Sequence, residues 1–104
     1  MNNKKALSIK ETFDLAIQKH QNNNLQDAQS YYQKVLELDP NYVDAHYNLG
    51  NIFNSQGEYQ KAKDCFEKAI ETDPNNANAH NNLGVVFEAL SEYQKAKDCY
   101  EKAI

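Results

Sequence analysis

The chain has no tryptophan, only two prolines and three glycines in 104 residues, and no long apolar run. Its eleven cations are all lysine, so arginine is missing too. Each absence excludes something. Without a guanidinium, bidentate capture of phosphate or carboxylate is lost. At a net charge of -4, the clustered positive charge that gives most nucleic-acid affinity is lacking. No window approaches the roughly 18 apolar residues of a membrane-crossing helix. Met1 to Lys10 lacks the apolar stretch of a secretory signal. So few prolines and glycines rule out collagenous or low-complexity structure. No nucleophile motif, phosphate-cradling glycine loop or cysteine ligand pair occurs. The chain is therefore expected to be no enzyme, to need no cofactor or metal, and to bind neither nucleic acid nor membrane.

What is present is a 34-residue echo. Leu49-Gly50, Phe53, Ala62, Phe66 and Ala69 return as Leu83-Gly84, Phe87, Ala96, Tyr100 and Ala103. A fainter copy precedes them as Leu15-Ala16, Ala28, Tyr32 and Val35. A period of this size means stacked similar units, each of which needs its neighbour to bury its apolar face. Cys65 and Cys99 are one period apart. Equivalent points on neighbouring units lie about 8–10 Å apart, too far for a disulfide, so both are read as free thiols. A reducing location, cytoplasmic or nucleocytoplasmic, is expected.

Within each unit the apolar spacing is helical. Ala45, Leu49, Ile52 and Phe53 make one stripe, and Tyr59, Ala62, Phe66, Ala69 and Ile70 a second. Gly57 falls between them where a left-handed turn residue is needed, with Asn23 and Ser91 as its counterparts. Asp39-Pro40-Asn41 and Asp73-Pro74-Asn75 end the second helices, each asparagine offering a cap to the next helix. The pattern predicts six helices near 7–21, 25–38, 43–56, 59–72, 77–90 and 93–104. Exposed pairs Asp64–Lys68 and Asp98–Lys102 are expected on the second helices. Gly50 and Ala62, like Gly84 and Ala96, are expected to let paired helices approach closely. The rings of Phe53, Phe66, Phe87 and Tyr100 are expected to fill the space between hairpins.

Leu49, Gly50, Phe53, Gly57, Tyr59, Ala62, Phe66, Ala69 and Pro74 resemble the signature of the tetratricopeptide repeat, as do Leu83, Gly84, Phe87, Tyr93, Ala96, Tyr100 and Ala103. The resemblance divides the chain into a polar leader (1–8), a divergent first repeat (9–42), a second (43–76) and a third (77–104) that stops inside its second helix. It implies an all-α right-handed superhelix whose first helices line a concave groove. Asn48-Leu49-Gly50 and Asn82-Leu83-Gly84 look most like the arrays fused to O-linked N-acetylglucosamine transferases. That likeness leaves open a substrate-presenting arm of a glycosyltransferase.

By the same resemblance, the groove is lined by Tyr47, Asn48 and Asn51 of the second unit and by Asn78, Asn81, Asn82 and Val85 of the third. Amides donate and accept hydrogen bonds at once, so a row of them can hold the main chain of an extended peptide. Protein or peptide is thus the expected partner. A five-residue clamp for a terminal carboxylate would match only at Asn48, with Phe13, Ile17, Asn78 and Asn82 in its other places. His46 and His80 share the slot of a frequent family aromatic and are read as packing, while His20 is read as a surface residue. Tyr100, Ala103 and Ile104 are expected to face outward at the last helix. They suggest a fragment of a longer array or an oligomer joined through that face. The repetition of EYQKAKDCFEKAI at 58–70 and 92–104, with Phe66 changed to Tyr100, favours exchange between copies.

Overall fold

A computed structural model describes residues 6–104; the leader residues Met1 to Lys5, expected to be polar and frayed, lie outside the described residues. Six helices follow in order: α1 (Ile9–Gln21), α2 (Leu25–Leu38), α3 (Val43–Ser55), α4 (Tyr59–Thr72), α5 (Ala77–Ala89) and α6 (Tyr93–Ala103). Each predicted boundary lies within two residues of the observed one. α1 starts later than expected because Ser8 is its cap. The Ser8 hydroxyl accepts from the Glu11 backbone amide at 3.1 Å, and the Glu11 carboxylate accepts from the Ser8 amide at 3.0 Å. This reciprocal pair satisfies two amides that the helix itself cannot.

The helices pair as α1–α2, α3–α4 and α5–α6. Successive hairpins then stack through α2–α3 and α4–α5, and α3 also touches α5. The result is a rod of 59 × 24 × 18 Å with a radius of gyration of 14.8 Å. A compact chain of this length has about 13 Å, so the architecture is an all-α helical-repeat superhelix rather than a closed globule.

The turns inside the hairpins share one backbone device. Asn23, Gly57 and Ser91 have φ of 61°, 75° and 61°, the left-handed conformation that reverses a helix. The turns between hairpins differ from the sequence expectation. Asn41 and Asn75 do not cap the next helix; the N-cap positions are Tyr42 and Asn76. Asn76 caps by its side chain, accepting from the Ala79 amide at 3.0 Å. Asn41 instead donates its backbone amide to the Asp39 carboxylate at 3.1 Å, which closes the Asp-Pro-Asn turn.

The core runs the length of the rod, with Ala16, Ala28, Tyr32, Val35, Ala62 and Phe66 fully buried. Two packing expectations are corrected. The space left by Gly50 is taken by the Phe66 ring, and that left by Gly84 by the Tyr100 ring, not by Ala62 and Ala96. Those two rings therefore pack inside a hairpin, because a helix without a Cβ at that point admits an aromatic edge against its backbone. The expected Asp64–Lys68 and Asp98–Lys102 pairs are absent among the described residues. Lys68 reaches Glu71 at 3.5 Å, and Asp98 accepts from Gln94 at 3.1 Å. The pairs that form on these hairpins, Lys68–Glu71, Glu58–Lys61 and Glu92–Lys95, are all three residues apart, whereas the aspartate pair at four residues forms on α1, between Lys10 and Asp14 at 3.0 Å.

Candidate functional site

The contact between α3 and α5 brings three sequence-predicted residues together. The Asn82 side-chain amide donates to the Tyr47 hydroxyl at 3.0 Å and to Asn51 Oδ1 at 2.8 Å. Tyr47 and Asn51 are one helical turn apart on α3, so a single amide one repeat later can span both. The bonding leaves a defined set of free valences: Asn82 Oδ1 as acceptor, the Asn51 amide hydrogens as donors, and the Tyr47 hydroxyl hydrogen. Burial is partial at all three, so these groups remain reachable.

Asn48 occupies the repeat position of Asn82 but does different work. The corresponding acceptors one repeat earlier are Phe13 and Ile17, which have no oxygen to offer. Asn48 instead lies beside the Tyr32 phenol and pulls its pKa down, and the Tyr32 hydroxyl lies 3.0 Å from His20 Nδ1. A consistent proton order has the Tyr32 hydroxyl donating to an unprotonated Nδ1 of His20. Burial pushes the Tyr32 phenol up to about 12, with Asn48 pulling the other way, and lowers the His20 pKa. His20 is therefore not a bare surface residue: it is half-buried and its ring meets Tyr32 edge-on at 5.8 Å.

The same pair of positions recurs one and two repeats on, and of those two only the third unit forms a hydrogen bond there among the described residues. In the third unit Tyr100 donates its hydroxyl to Glu88; burial, with Glu88 adding to it, raises that phenol to about 12. In the second unit Phe66 has no hydroxyl, and Asn54, the counterpart of His20 and Glu88, has no side-chain hydrogen bond among the described residues. Sequence reasoning had the signal for this (Tyr, Phe, Tyr at one position) without drawing it out. Asn78, Asn81 and Val85 continue the α5 face, all exposed and with no side-chain hydrogen bond among the described residues.

The remaining candidates lie elsewhere. His46 and His80 place Nε2 at 2.7 and 2.8 Å from the carbonyls of Pro40 and Pro74. Each ring ties its helix to the turn before it, which is a sharper role than general packing. Among the described residues no group of three or more His, Cys, Asp or Glu is placed to hold a metal. Cys65 and Cys99 are free thiols; burial raises both, Cys65 to about 11. Tyr100 does not face outward as expected, because its ring turns in toward Gly84. Ala103 is half-buried, and Ile104 is fully exposed.

Comparison with known proteins agrees with this architecture. Family models of the tetratricopeptide repeat match residues 43–76 and 65–98, and a TPR-repeat model matches 18–54. The chain is thus built of tetratricopeptide repeats, whose family places it among protein-interaction scaffolds. A crystal structure of MamA superposes with a TM-score of 0.88 at 28% identity, over 92% of this chain and 56% of that one. A second MamA crystal structure gives 0.87 at 28%, over 92% and 52%. A third, MamA AMB-1, gives 0.85 at 23% over the same shares, a likeness of fold alone. This chain spans little more than half the length of the MamA chains it matches. No curated protein matches it. Nothing in these neighbours supports the narrower likeness to glycosyltransferase arrays.

Proposed function

We propose that the chain is a protein-interaction module that binds an extended peptide along the face formed by α3 and α5. The observation that carries this reading is the Asn82–Tyr47–Asn51 junction. Its free valences are one amide oxygen and several N–H or O–H hydrogens, which complement a peptide unit's own N–H and C=O. An acceptor and a donor side by side recognise main chain with little regard for side chains, so selectivity falls to Val85, Asn78, Asn81 and Asn54 around it. The free thiols suit a reducing, cytoplasmic setting.

Titration with an extended peptide library, followed by amide chemical shifts, tests this. Shifts at Tyr47, Asn51 and Asn82 are expected. Asn82→Ala should weaken binding about tenfold, the equivalent of one hydrogen bond of about 1.4 kcal/mol. A library that leaves those three signals unmoved refutes the reading. Self-association through the last helix is the competing role. Against it, Tyr100 is already engaged within its own hairpin. Light scattering that shows a monomer at every accessible concentration removes it.

A further inference from the structure

Three crevices in the rod are one crevice repeated. Their volumes are 280, 470 and 630 Å³ in chain order, and their walls fall in the 34-residue register. One wall position holds Thr12, then His46, then His80. The turn before each first helix contributes Ala6, Pro40 and Pro74. A lysine stands at the same place in all three: Lys34, Lys68 and Lys102. The second helix of the preceding unit closes the middle and last crevices with Leu36 and Ile70. None of the groove candidates on α3 and α5 lines any of them, so the crevices form a separate row.

Their chemistry is distinctive. The walls of the first two crevices are mainly apolar, with Leu49 and Cys65 in the middle one, whereas the last is almost half polar. The middle crevice's volume falls within the roughly 300–1,000 Å³ of sites that hold ligand groups. The proline carbonyls that would make the walls polar are already satisfied by His46 and His80. The three crevices together carry three lysines against one carboxylate, Asp64, in a chain whose net charge is -4. Lys68 is held only by an exposed pair to Glu71 at 3.5 Å, an interaction worth at most about 1 kcal/mol. Lysines thus outnumber carboxylates in the lining of this row, against the sign of the chain as a whole.

We propose that this row is a second docking surface, for an extended acidic segment of a partner protein with an apolar side chain at every third residue. Equivalent points on the first helices, which touch between α3 and α5, are about 10 Å apart, and an extended chain advances about 3.3 Å per residue. One apolar side chain thus reaches each socket, and the carboxylates between them reach the lysines. Occupying several sockets at once turns weak single contacts into useful affinity.

The probe is a synthetic peptide of three Leu-Glu-Ser triplets, with a Leu-Lys-Ser version as its control, titrated into the full chain and followed by amide shifts. The acidic peptide should bind at least tenfold more tightly than the basic one and shift His46, Cys65 and Lys68. A single triplet should bind at least tenfold more weakly than three. The variant with Lys34, Lys68 and Lys102 all changed to Glu should reverse the charge preference while keeping the helical circular dichroism spectrum. Equal binding of the two peptides to the native chain overturns the proposal, as does no binding, or shifts confined to Tyr47, Asn51 and Asn82.

Discussion

Gly50→Ala sets two effects of known sign against each other. Alanine in a helix interior is favoured over glycine by about 0.5–1 kcal/mol, and Gly50 lies within α3. The Cβ it would add, however, falls 2.7, 2.9 and 3.0 Å from three atoms of the Phe66 ring, closer than real Cβ contacts come. Phe66 is fully buried, with Tyr47 at 5.9 Å between ring centres on one side, so the ring has no solvent to retreat into. Overpacking of this kind costs about 1–3 kcal/mol. The net expectation is a loss of about 1–2 kcal/mol, or roughly 4–16 °C in Tm at the conversion for a domain of this size. Gly84→Ala is the internal control. Its Cβ falls 2.6 Å from the Tyr100 ring, a clash at least as severe, but Tyr100 is only half-buried and can swing outward. That motion gives up little beyond its bond to Glu88, about 0.5–1.5 kcal/mol, which the helical gain largely offsets. Urea denaturation of both variants is the assay. Gly50→Ala as stable as the parent, or less damaging than Gly84→Ala, refutes the argument that burial of the ring decides the cost. The double variant Gly50→Ala, Phe66→Leu should lose less than the sum of its single changes, since the leucine side chain lacks the ring atoms that clash.

Ser91→Gly should stabilise the chain by about 0.5–1 kcal/mol, because a non-glycine residue at positive φ is strained by about 1–3 kcal/mol and glycine's extra unfolded-state entropy takes part of the gain back; chemical denaturation reads it directly. Gly57→Ala should cost about 1–2 kcal/mol in the same assay, and the cost is conformational alone, since a Cβ there meets nothing within 4 Å. The His20 pKa is lowered on folding, so the unfolded chain takes up a proton first as pH falls below about 6.5. Stability should therefore drop from that pH down to the folded-state value and level off there, and His20→Gln should flatten that part of the curve. Tyr32 and Tyr100 are raised to about 12 from 10.0, so their contribution is whole below pH 10 and fades as pH rises toward 12; Tyr32→Phe and Tyr100→Phe should each make alkaline unfolding less steep.

The repeat register was legible because it is written in residues whose jobs are steric. A glycine or asparagine at positive φ, an alanine under a helix and a proline after one have few alternatives, and all three hairpins followed from them. The partners of those residues were harder to read. Gly50 and Ala62 look like a matched small pair on paper. The structure pairs Gly50 with Phe66, because side chains on a helix lean toward its N-terminus and a ring reaches a turn away from its own Cα. The polar contacts were least legible. His20 looks exposed in isolation, and only the position of Tyr32 twelve residues later reveals that it is held. The cap at Asn76 rather than Asn75, and the pairing of Lys68 with Glu71 rather than Asp64, turn on differences of one residue or one helical position that a period of 34 does not record.

What distinguishes the two ends of the groove is likewise a matter of single substitutions on a common frame. Asn48 and Asn82 are the same residue at the same place, yet one only lies beside Tyr32 and lowers its pKa, while the other reaches across to Tyr47 and Asn51. The difference lies one repeat earlier, where Phe13 and Ile17 stand in place of a hydroxyl and an amide. An asparagine at this position joins neighbouring repeats only if its predecessor supplies acceptors, so an asparagine ladder is a property of consecutive pairs rather than of any one repeat. It follows that Phe13→Tyr with Ile17→Asn should pull Asn48 away from Tyr32 and extend the junction by one unit. Moving the Asn48 amide away from Tyr32, whose pKa it lowers, should then shift that phenol's ultraviolet titration upward. An unchanged Tyr32 titration in that variant would mean the ladder is set by the local helix and not by the neighbour.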